Sequence, residues 1–250
     1  MTPQDVKKKI LESYMDEFGF VTIDKNADVH SKGMGNGLMH TGFFYAYLGY
    51  HGLLTEEDAY RWRKTIESTT ARHPLTKEPV SGLYYRHPYK MNDDQSHDDY
   101  YAVMAASFYF AMAGFAFADF SRDVIRYGEA HGWIYNARQD GNNAAYKSFD
   151  RFPGLIIFYK MANRQVLGFW EQLPAMFRLL VMTHAKKGDS DSRVHAFLML
   201  SVTRFGSGLM NVLFVYWKLF TSKLYGSVGG GMRGYFDETF GMHPFVSGDY

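Results

Sequence analysis

The chain has 250 residues, and its 27 Lys and Arg residues against 26 Asp and Glu residues give a formal net charge of +1. A balance this close to zero argues against a protein that binds nucleic acid through bulk positive charge. Hydrophobic residues make up 46% of the chain and aromatic residues 18%, which favours a large buried core and excludes a disordered protein. Cysteine is absent, which excludes disulfides, thiolate metal sites and a cysteine nucleophile.

The first helix is predicted directly after Met1. Thr2-Pro3-Gln4-Asp5 matches a capping box with proline at the first helical position. An apolar stripe continues the helix to Phe18, and Gly19 is expected to end it. This segment has no apolar run typical of a secretory signal, so we expect the protein in the cytoplasm or as part of a virion.

Two copies of one helical unit follow, about 60 residues apart, although no strict sequence repeat supports them. In each copy an apolar helix precedes a short acidic turn and an amphipathic helix. The apolar helices are predicted over 37–50 and from Ser96-His97-Asp98-Asp99 onwards. The amphipathic helices are predicted after the capping box Thr55–Asp58 and from Asp119 to about Glu129.

Looser copies of the unit are expected over 153–186 and 191–224. Few runs alternate between apolar and polar residues, so little sheet is expected. The units therefore predict an all-α fold of helical hairpins in two concentric layers, with the apolar helices inside. We expect a single domain over 1–250 that ends in a glycine-rich turn and an aromatic tail (225–250).

The inner helices of such a fold run roughly parallel, so their N-termini share one end of the domain. Long loops are predicted before them, over 21–37, 73–95 and 134–152. Long loops in a compact domain are commonly functional, and these are rich in Tyr, His, Arg, Asp and Asn.

One apolar run raises the question of a membrane span. Tyr100–Ala118 holds 19 residues without a formal charge, a length that can cross a bilayer. Its many Ala, Gly, Ser and Tyr residues lower the transfer energy, and the centre of a helical protein also requires an apolar helix. A buried inner helix is therefore the favoured interpretation over a membrane-embedded bundle.

Three stretches carry a family resemblance, namely GNGLMHTGFFYAYLGY, SGLYYRHPYKMNDDQSHDDYYAV and RFPGLIIFYKMA. They resemble the (α/α)-toroid, or six-hairpin glycosidase, class, with a weaker match at MRGYFDETFGMHPF. In that class such stretches lie at the N-terminal ends of inner helices and line a carbohydrate cleft. The resemblance implies a toroid, incomplete or open in a chain of this length. It also implies a glycoside hydrolase that acts on oligo- or polysaccharides, with a polysaccharide lyase as the second choice.

Asp93, Asp94, Asp98 and Asp99 form the densest acidic group in the chain. Glycoside hydrolysis needs two carboxyl groups, about 5–5.5 Å apart for retention or about 6.5–9.5 Å apart for inversion. We expect Asp98 to act as general acid or base, with a second carboxylate among Asp94, Asp99 and Asp150. The alternative is structural, because Asp98 and Asp99 fall in a first helical turn, where carboxylates offset the helix dipole and Asp99 completes a capping box.

A sugar platform is predicted from aromatic and basic side chains near this group. Tyr84, Tyr85 and Trp133 would stack on sugar rings, and Arg86 would bind a hydroxyl or carboxylate group. The alternative is a surface loop folded over the end of the helices. Asp150 and Arg151 are expected to form an ion pair or helix cap, or else to contact the substrate.

A lyase would need a group that neutralises a carboxylate and a base. Asn36 and His40 lie four residues apart on one helix face, and with Tyr85 and Arg86 they would supply that set. The competing interpretation of His40 is a hydrogen-bonded core residue.

The candidate cofactor and metal motifs lack the structural context or the residues that such sites require. The glycine-rich 229–234 matches G-x-G-x-x-G without a preceding strand, and the calcium-loop start at Asp24 has Val29 where glycine is required. The ten histidines lack zinc-ligand spacing. We therefore expect neither a cofactor nor a metal.

A second interpretation belongs to another class of protein. A non-catalytic structural or adaptor subunit of a larger assembly, such as a phage virion, would use its aromatic residues as interface anchors. The segment GSVGGGMRG and the tail Tyr235–Tyr250 would then dock on other protein subunits.

Overall fold

A computed structural model describes residues 2–22, 37–91, 97–131 and Tyr135. All of them lie in one compact unit of the chain, Met1–Ala162. The two looser copies of the helical unit and the tail (225–250) lie outside the described residues. The single domain over 1–250 therefore stays a prediction.

The described residues are mostly helical, which confirms the helical class. In chain order the elements are α1 (Pro3–Ser13), α2 (Gly37–Tyr50), α3 (Glu56–Thr69), β1 (Thr70–Arg72), β2 (Pro79–Tyr84), α4 (His97–Met112) and α5 (Ser121–Ala130), with short 3-10 turns at Pro88–Lys90 and Ala116–Ala118. Of the helices in this part of the chain, none combines the length and the apolar character that crossing a membrane requires.

The capping box at Thr2 is confirmed, but α1 ends at Ser13, well before the expected stop at Gly19. Asp16 is the reason. Its carboxylate accepts the backbone N–H groups of Phe18 at 3.0 Å and Phe20 at 2.8 Å, which closes a tight turn in place of another helical turn.

The capping box at Thr55 is confirmed as well, and it is more deeply embedded than the one at Thr2. Asp58 exchanges hydrogen bonds with Thr55 and is only 2% exposed. Its carboxylate also pairs with the Lys7 ammonium, which in addition donates to the Leu53 carbonyl at 2.9 Å. Asp58 therefore joins α1 to the start of α3.

Replacing Asp58 by Asn should lower the free energy of unfolding by about 2–3 kcal/mol, because a buried ion pair and a cap are both weakened. Asp5 occupies the same capping position in α1 but is exposed, so Asp5→Asn should lower the free energy of unfolding clearly less than Asp58→Asn does. Urea denaturation of both variants measures the difference. Equal losses would show that the pairing with Lys7 adds nothing to the cap.

Helices α2 and α4 form a buried inner pair. Every described side chain from Gly37 to Leu48 is buried, and so is every described side chain of α4 from Asp99 to Phe110. The two helices touch closely, because a Cβ atom at Gly42 would collide with the backbone of Ala102 and one at Gly49 would collide with Tyr109. Glycine at these positions is what allows the close approach.

The two contacts also fix the direction of the pair. Gly42 and Gly49 are seven residues apart, and so are their partners Ala102 and Tyr109, in the same order. Helices α2 and α4 are therefore parallel, with a register offset of 60 residues. Their first residues, Gly37 and His97, stand at the same end, which we call the amino end.

Helices α3 and α5 pack on the outside of this pair and run antiparallel to it. Trp62 of α3 is fully buried between Tyr45 of α2 and Phe110 of α4. In the other hairpin, Phe120 stands just before α5. Its backbone N–H group donates a hydrogen bond of 3.0 Å to the Ser107 hydroxyl group, in the second half of α4. The expected order of an apolar and then an amphipathic helix is thus present in both described hairpins.

The start of α5 differs from the expected cap at Asp119. The helix begins at Ser121, and Phe120 at its N-cap offers no side-chain cap. The Asp119 carboxylate instead accepts the Ser121 N–H at 2.8 Å and so stabilises the turn before the helix.

Part of the expected long loop over 73–95 is a hairpin. Strands β1 and β2 pair antiparallel, with Thr70 opposite Tyr84. Gly82 has a φ of 83°, and a side chain there would collide with the backbone of Asp123 on α5. Pairing with β1 makes the segment a strand, and it packs closely on α5; the sequence pattern reveals neither contact.

Candidate functional site

The amino end of the inner pair is crossed by the residues that leave β2. The Arg86 carbonyl accepts the Leu38 N–H at 3.0 Å, at the start of α2. Close by in the chain, the Tyr84 N–H is 3.3 Å from the hydroxyl group of Tyr100, at the start of α4. The segment 84–87 therefore bridges the first turns of both inner helices.

Arg86 and Asp99 form an ion pair at this bridge. The Arg86 Nε atom lies 3.4 Å from Asp99 Oδ2, and Asp99 is fully buried whereas Arg86 is 21% exposed. A buried carboxylate needs such a partner, since its charge has lost the solvation of water. Two residues predicted for the site thus meet, in an arrangement that stabilises the amino end.

His87 and Asp16 form a second polar pair beside the first. His87 Nε2 is 2.7 Å from Asp16 Oδ2, and the His87 ring is fully buried. His87 Nδ1 accepts the Tyr89 N–H at 3.2 Å, which leaves Nε2 as the nitrogen that donates to Asp16. Phe20 packs on the His87 ring at a centroid distance of 4.7 Å.

The sequence analysis did not identify His87 or Asp16 as functional residues. The available signal was the turn pattern, since Asp16 precedes Gly19 by three residues, as in many tight turns. Their pairing across 71 residues of chain has no local signature.

His40 lies in α2, three residues into the helix, and is 2% exposed. Burial lowers the pKa of His40 from 6.5 to about 3, because the imidazolium ion would lose its hydration. The ring is therefore neutral at physiological pH and enclosed by the core.

This burial makes His40 a source of acid sensitivity. The native state keeps the ring neutral down to about pH 3, while the unfolded chain binds a proton near pH 6.5. The stability that depends on neutral His40 is present above pH 6.5 and is lost as the pH falls towards 3. We expect His40→Gln to reduce the loss of unfolding free energy between pH 7 and pH 4 by on the order of 3 kcal/mol.

Guanidinium denaturation at both pH values measures this effect. His131→Gln, which removes an exposed histidine, controls for the substitution itself. An unchanged pH dependence in the His40 variant would contradict the assigned role of burial.

The two predicted platform tyrosines are placed differently. Tyr84 is 2% exposed and packs on Tyr100 at a centroid distance of 6.2 Å, so its ring is not open to a ligand. Tyr85 is half-buried, and its backbone exchanges hydrogen bonds with Thr69 at the end of α3. Tyr85 is therefore the platform residue that the structure leaves accessible.

Several predicted site residues fall outside the described part of the chain. Asp98 belongs to the first turn of α4, as expected, but its side chain is not described. The following are outside it entirely: Asn36, Asp94, Trp133, Asp150 and Arg151. The pair of catalytic carboxylates therefore stays a prediction.

Within 2–22, 37–91, 97–131 and Tyr135, no cluster of three or more His, Asp or Glu side chains is arranged to hold a metal ion. No family model, curated protein or solved structure matches this chain.

Proposed function

We propose that this protein is a glycoside hydrolase whose active site lies at the amino end of the inner helices, in an (α/α)-toroid-like fold that is incomplete or open. The parallel alignment of α2 and α4 is the observation that carries the proposal, because it brings the segment around His40 and the segment around Asp98 and Asp99 to one end. Sites assembled at a shared end of parallel elements are a recurrent solution in enzymes.

Asp98 is the proposed general acid or base. Asp99 is less suited to this role, because it is fully buried and pairs with Arg86. Asp98 precedes it by one residue, which is about 100° around the axis of α4. The second carboxylate remains assigned to Asp94, Asp99 or Asp150, with Tyr85 and Arg86 next to the sugar.

The proposed reaction is hydrolysis of a glycosidic bond. The protonated carboxyl group donates its proton to the glycosidic oxygen as the bond from that oxygen to the anomeric carbon breaks. Water supplies the hydroxyl group that ends on the anomeric carbon, and its proton goes to the carboxylate group that acts as base. The products are two sugars, one of them with a new reducing end.

A screen of the purified full chain against neutral and acidic polysaccharides tests this proposal. We expect new reducing ends without the ultraviolet absorbance of unsaturated sugars. Unsaturated products would identify a lyase instead. The absence of both signals on all substrates would contradict a carbohydrate-active enzyme.

The second candidate is a non-catalytic subunit of a larger assembly. One observation favours it, namely a charge-free and partly exposed turn after α4 at the end opposite the amino end. There Met112 is 42% exposed, and the Phe117 ring packs at a tilt against Tyr60, which is 53% exposed, with a centroid distance of 4.8 Å. Exposed aromatic side chains are typical anchors of protein interfaces. A chain without turnover that joins a stable complex through this turn would support the second candidate.

A further inference from the structure

A cleft of about 420 Å³ opens between the turn after α1 and the outer face of α3. We call it the outer cleft and define it by Asp16, Glu17, Phe18, Arg61, Lys64 and Ser68. Its volume lies within the range of about 300–1,000 Å³ that small-ligand sites occupy. The cleft is outside the amino end of the inner pair, where the catalytic site is proposed.

The wall of the outer cleft formed by the turn 16–20 is held from two sides. On one side Gly19 lies so close to α3 that an added Cβ atom would be 2.5 Å from the Thr65 hydroxyl oxygen. That hydroxyl group is 3.1 Å from the Phe18 carbonyl oxygen, which it can reach as a donor. Gly19 has a φ of 85°, a conformation that glycine adopts without strain.

On the other side the turn is held by the segment after β2. Asp16 uses one carboxylate oxygen for the N–H groups inside the turn and the other for His87. Glu17 accepts the Tyr89 hydroxyl group at 2.9 Å, and the Tyr89 ring meets Phe18 edge-on at 5.1 Å. A surface turn fixed by so many partners is a preorganised wall, which lowers the entropic cost of binding a ligand.

The lining of the cleft carries no net charge. Asp16 and Glu17 oppose Arg61 and Lys64. Arg61 is already engaged, since its guanidinium group is 2.7 Å from Glu57 and 3.7 Å from Asp58. A lining of this kind does not select a strongly anionic or cationic ligand.

The lining combines polar side chains with apolar ones. Lys64 and Ser68 are exposed on α3, and Glu17 is exposed on the facing turn. Leu11 and the Phe18 ring supply the apolar surface. Sugar rings combine hydroxyl groups at the rim with a C–H face that packs on aromatic side chains, so they match both features.

We infer that the outer cleft is a secondary binding site for a neutral saccharide, separate from the catalytic site and connected to it through the pair of Asp16 with His87, the neighbour of Arg86. Only one part of this inference, the choice of a saccharide as ligand, rests on the proposed function. A site of this kind would hold a distant part of a glycan chain while its bond is cleaved at the amino end.

The test measures oligosaccharide binding without turnover, and the change caused by filling the outer cleft reports the contribution of that cleft. The full-length Asp98→Asn variant is titrated with cellohexaose, maltohexaose and chitohexaose by isothermal calorimetry, and with hexagalacturonate as an acidic comparison. Ser68→Trp is added to fill the cleft from its exposed rim. Glu67→Trp places the same ring on an exposed neighbouring position that does not line the cleft.

We expect at least one neutral oligosaccharide to bind, Ser68→Trp to weaken its affinity at least about tenfold, and Glu67→Trp to leave it unchanged. Lys64→Ala should weaken binding more than the control Lys8→Ala, which removes an exposed lysine of α1. Unchanged affinity in the Ser68 variant, preference for the acidic oligosaccharide, or no binding at all would each overturn the inference.

The same data separate this inference from the proposed function. If Ser68→Trp abolishes binding but the native chain cleaves no glycan, the cleft stands and the hydrolase proposal fails. If the native chain cleaves glycans but Ser68→Trp leaves affinity and cleavage unchanged, the hydrolase stands and the cleft fails.

Discussion

Replacing Asp98 by Asn should reduce turnover by a factor of about 10²–10⁴, the usual contribution of a general acid or base. The amide can neither donate a proton to the glycosidic oxygen as a general acid nor accept one from the attacking water as a general base. The change should leave the melting temperature close to that of the native protein, because one carboxylate in a first helical turn contributes only about 0.3–1 kcal/mol through the helix dipole.

Asp99→Asn is the matched comparison, one residue along the same helix. Asp99 is fully buried and paired, so we expect its substitution to lower the melting temperature clearly. Both variants are followed by thermal unfolding and by the rate of reducing-end formation. If Asp98→Asn loses stability and keeps its turnover, Asp98 is a helix cap and has no catalytic role.

Replacing Arg86 by Ala should destabilise the protein by about 3–5 kcal/mol, the usual cost of breaking a buried ion pair by removing one of its members. Asp99 is fully buried at the point where both inner helices begin, so water cannot take the place of the guanidinium group. Because the Arg86 carbonyl also accepts the Leu38 N–H, the backbone bridge should survive while the charge pairing is lost.

Two further variants separate charge from size in this experiment. Arg86→Lys keeps the positive charge and should recover part of the lost stability, although the lysine cannot reproduce the planar guanidinium group. Arg72→Ala removes an exposed arginine from the preceding strand and should cost less than about 1 kcal/mol. Denaturant unfolding gives all three values. A loss for Arg86→Ala as small as for Arg72→Ala would contradict the importance of the ion pair.

The helical pattern of this chain is readable from local signals. Capping boxes at Thr2 and Thr55 give the starts of α1 and α3, and the apolar stretch from Gly37 to Tyr50 coincides with α2. The repeated order of an apolar and then an amphipathic helix also predicts that the two apolar helices run in the same direction. These features depend on residues close together in the chain, so the sequence is sufficient to predict them.

Features that depend on contacts between distant residues could not be predicted from the sequence. Pairing with β1 turns part of a predicted loop into a strand that packs on α5 at Gly82, and Asp16 ends α1 early through a turn that His87 supports. The burial of Tyr84 likewise follows from packing on Tyr100, sixteen residues away. Composition and periodicity carry no information on such pairings, since each requires the assembled fold.

The central claim is that α2 and α4 are parallel and begin at the same end. Because the chain has no cysteine, pairs of introduced cysteines can carry spin labels at chosen positions. His51 and Ala113 are exposed just beyond the ends of α2 and α4, and Tyr89 is exposed beside the amino end.

Distance measurement between spin labels at 51 and 113, compared with labels at 51 and 89, is the most direct test. Parallel helices predict a short separation for the first pair, comparable with the axis spacing of packed helices, about 8–10 Å plus the label linkers. They predict a second distance that is longer by roughly the length of α2, about 20 Å. A long distance between 51 and 113 would show that the helices run in opposite directions, and the shared amino end would not exist.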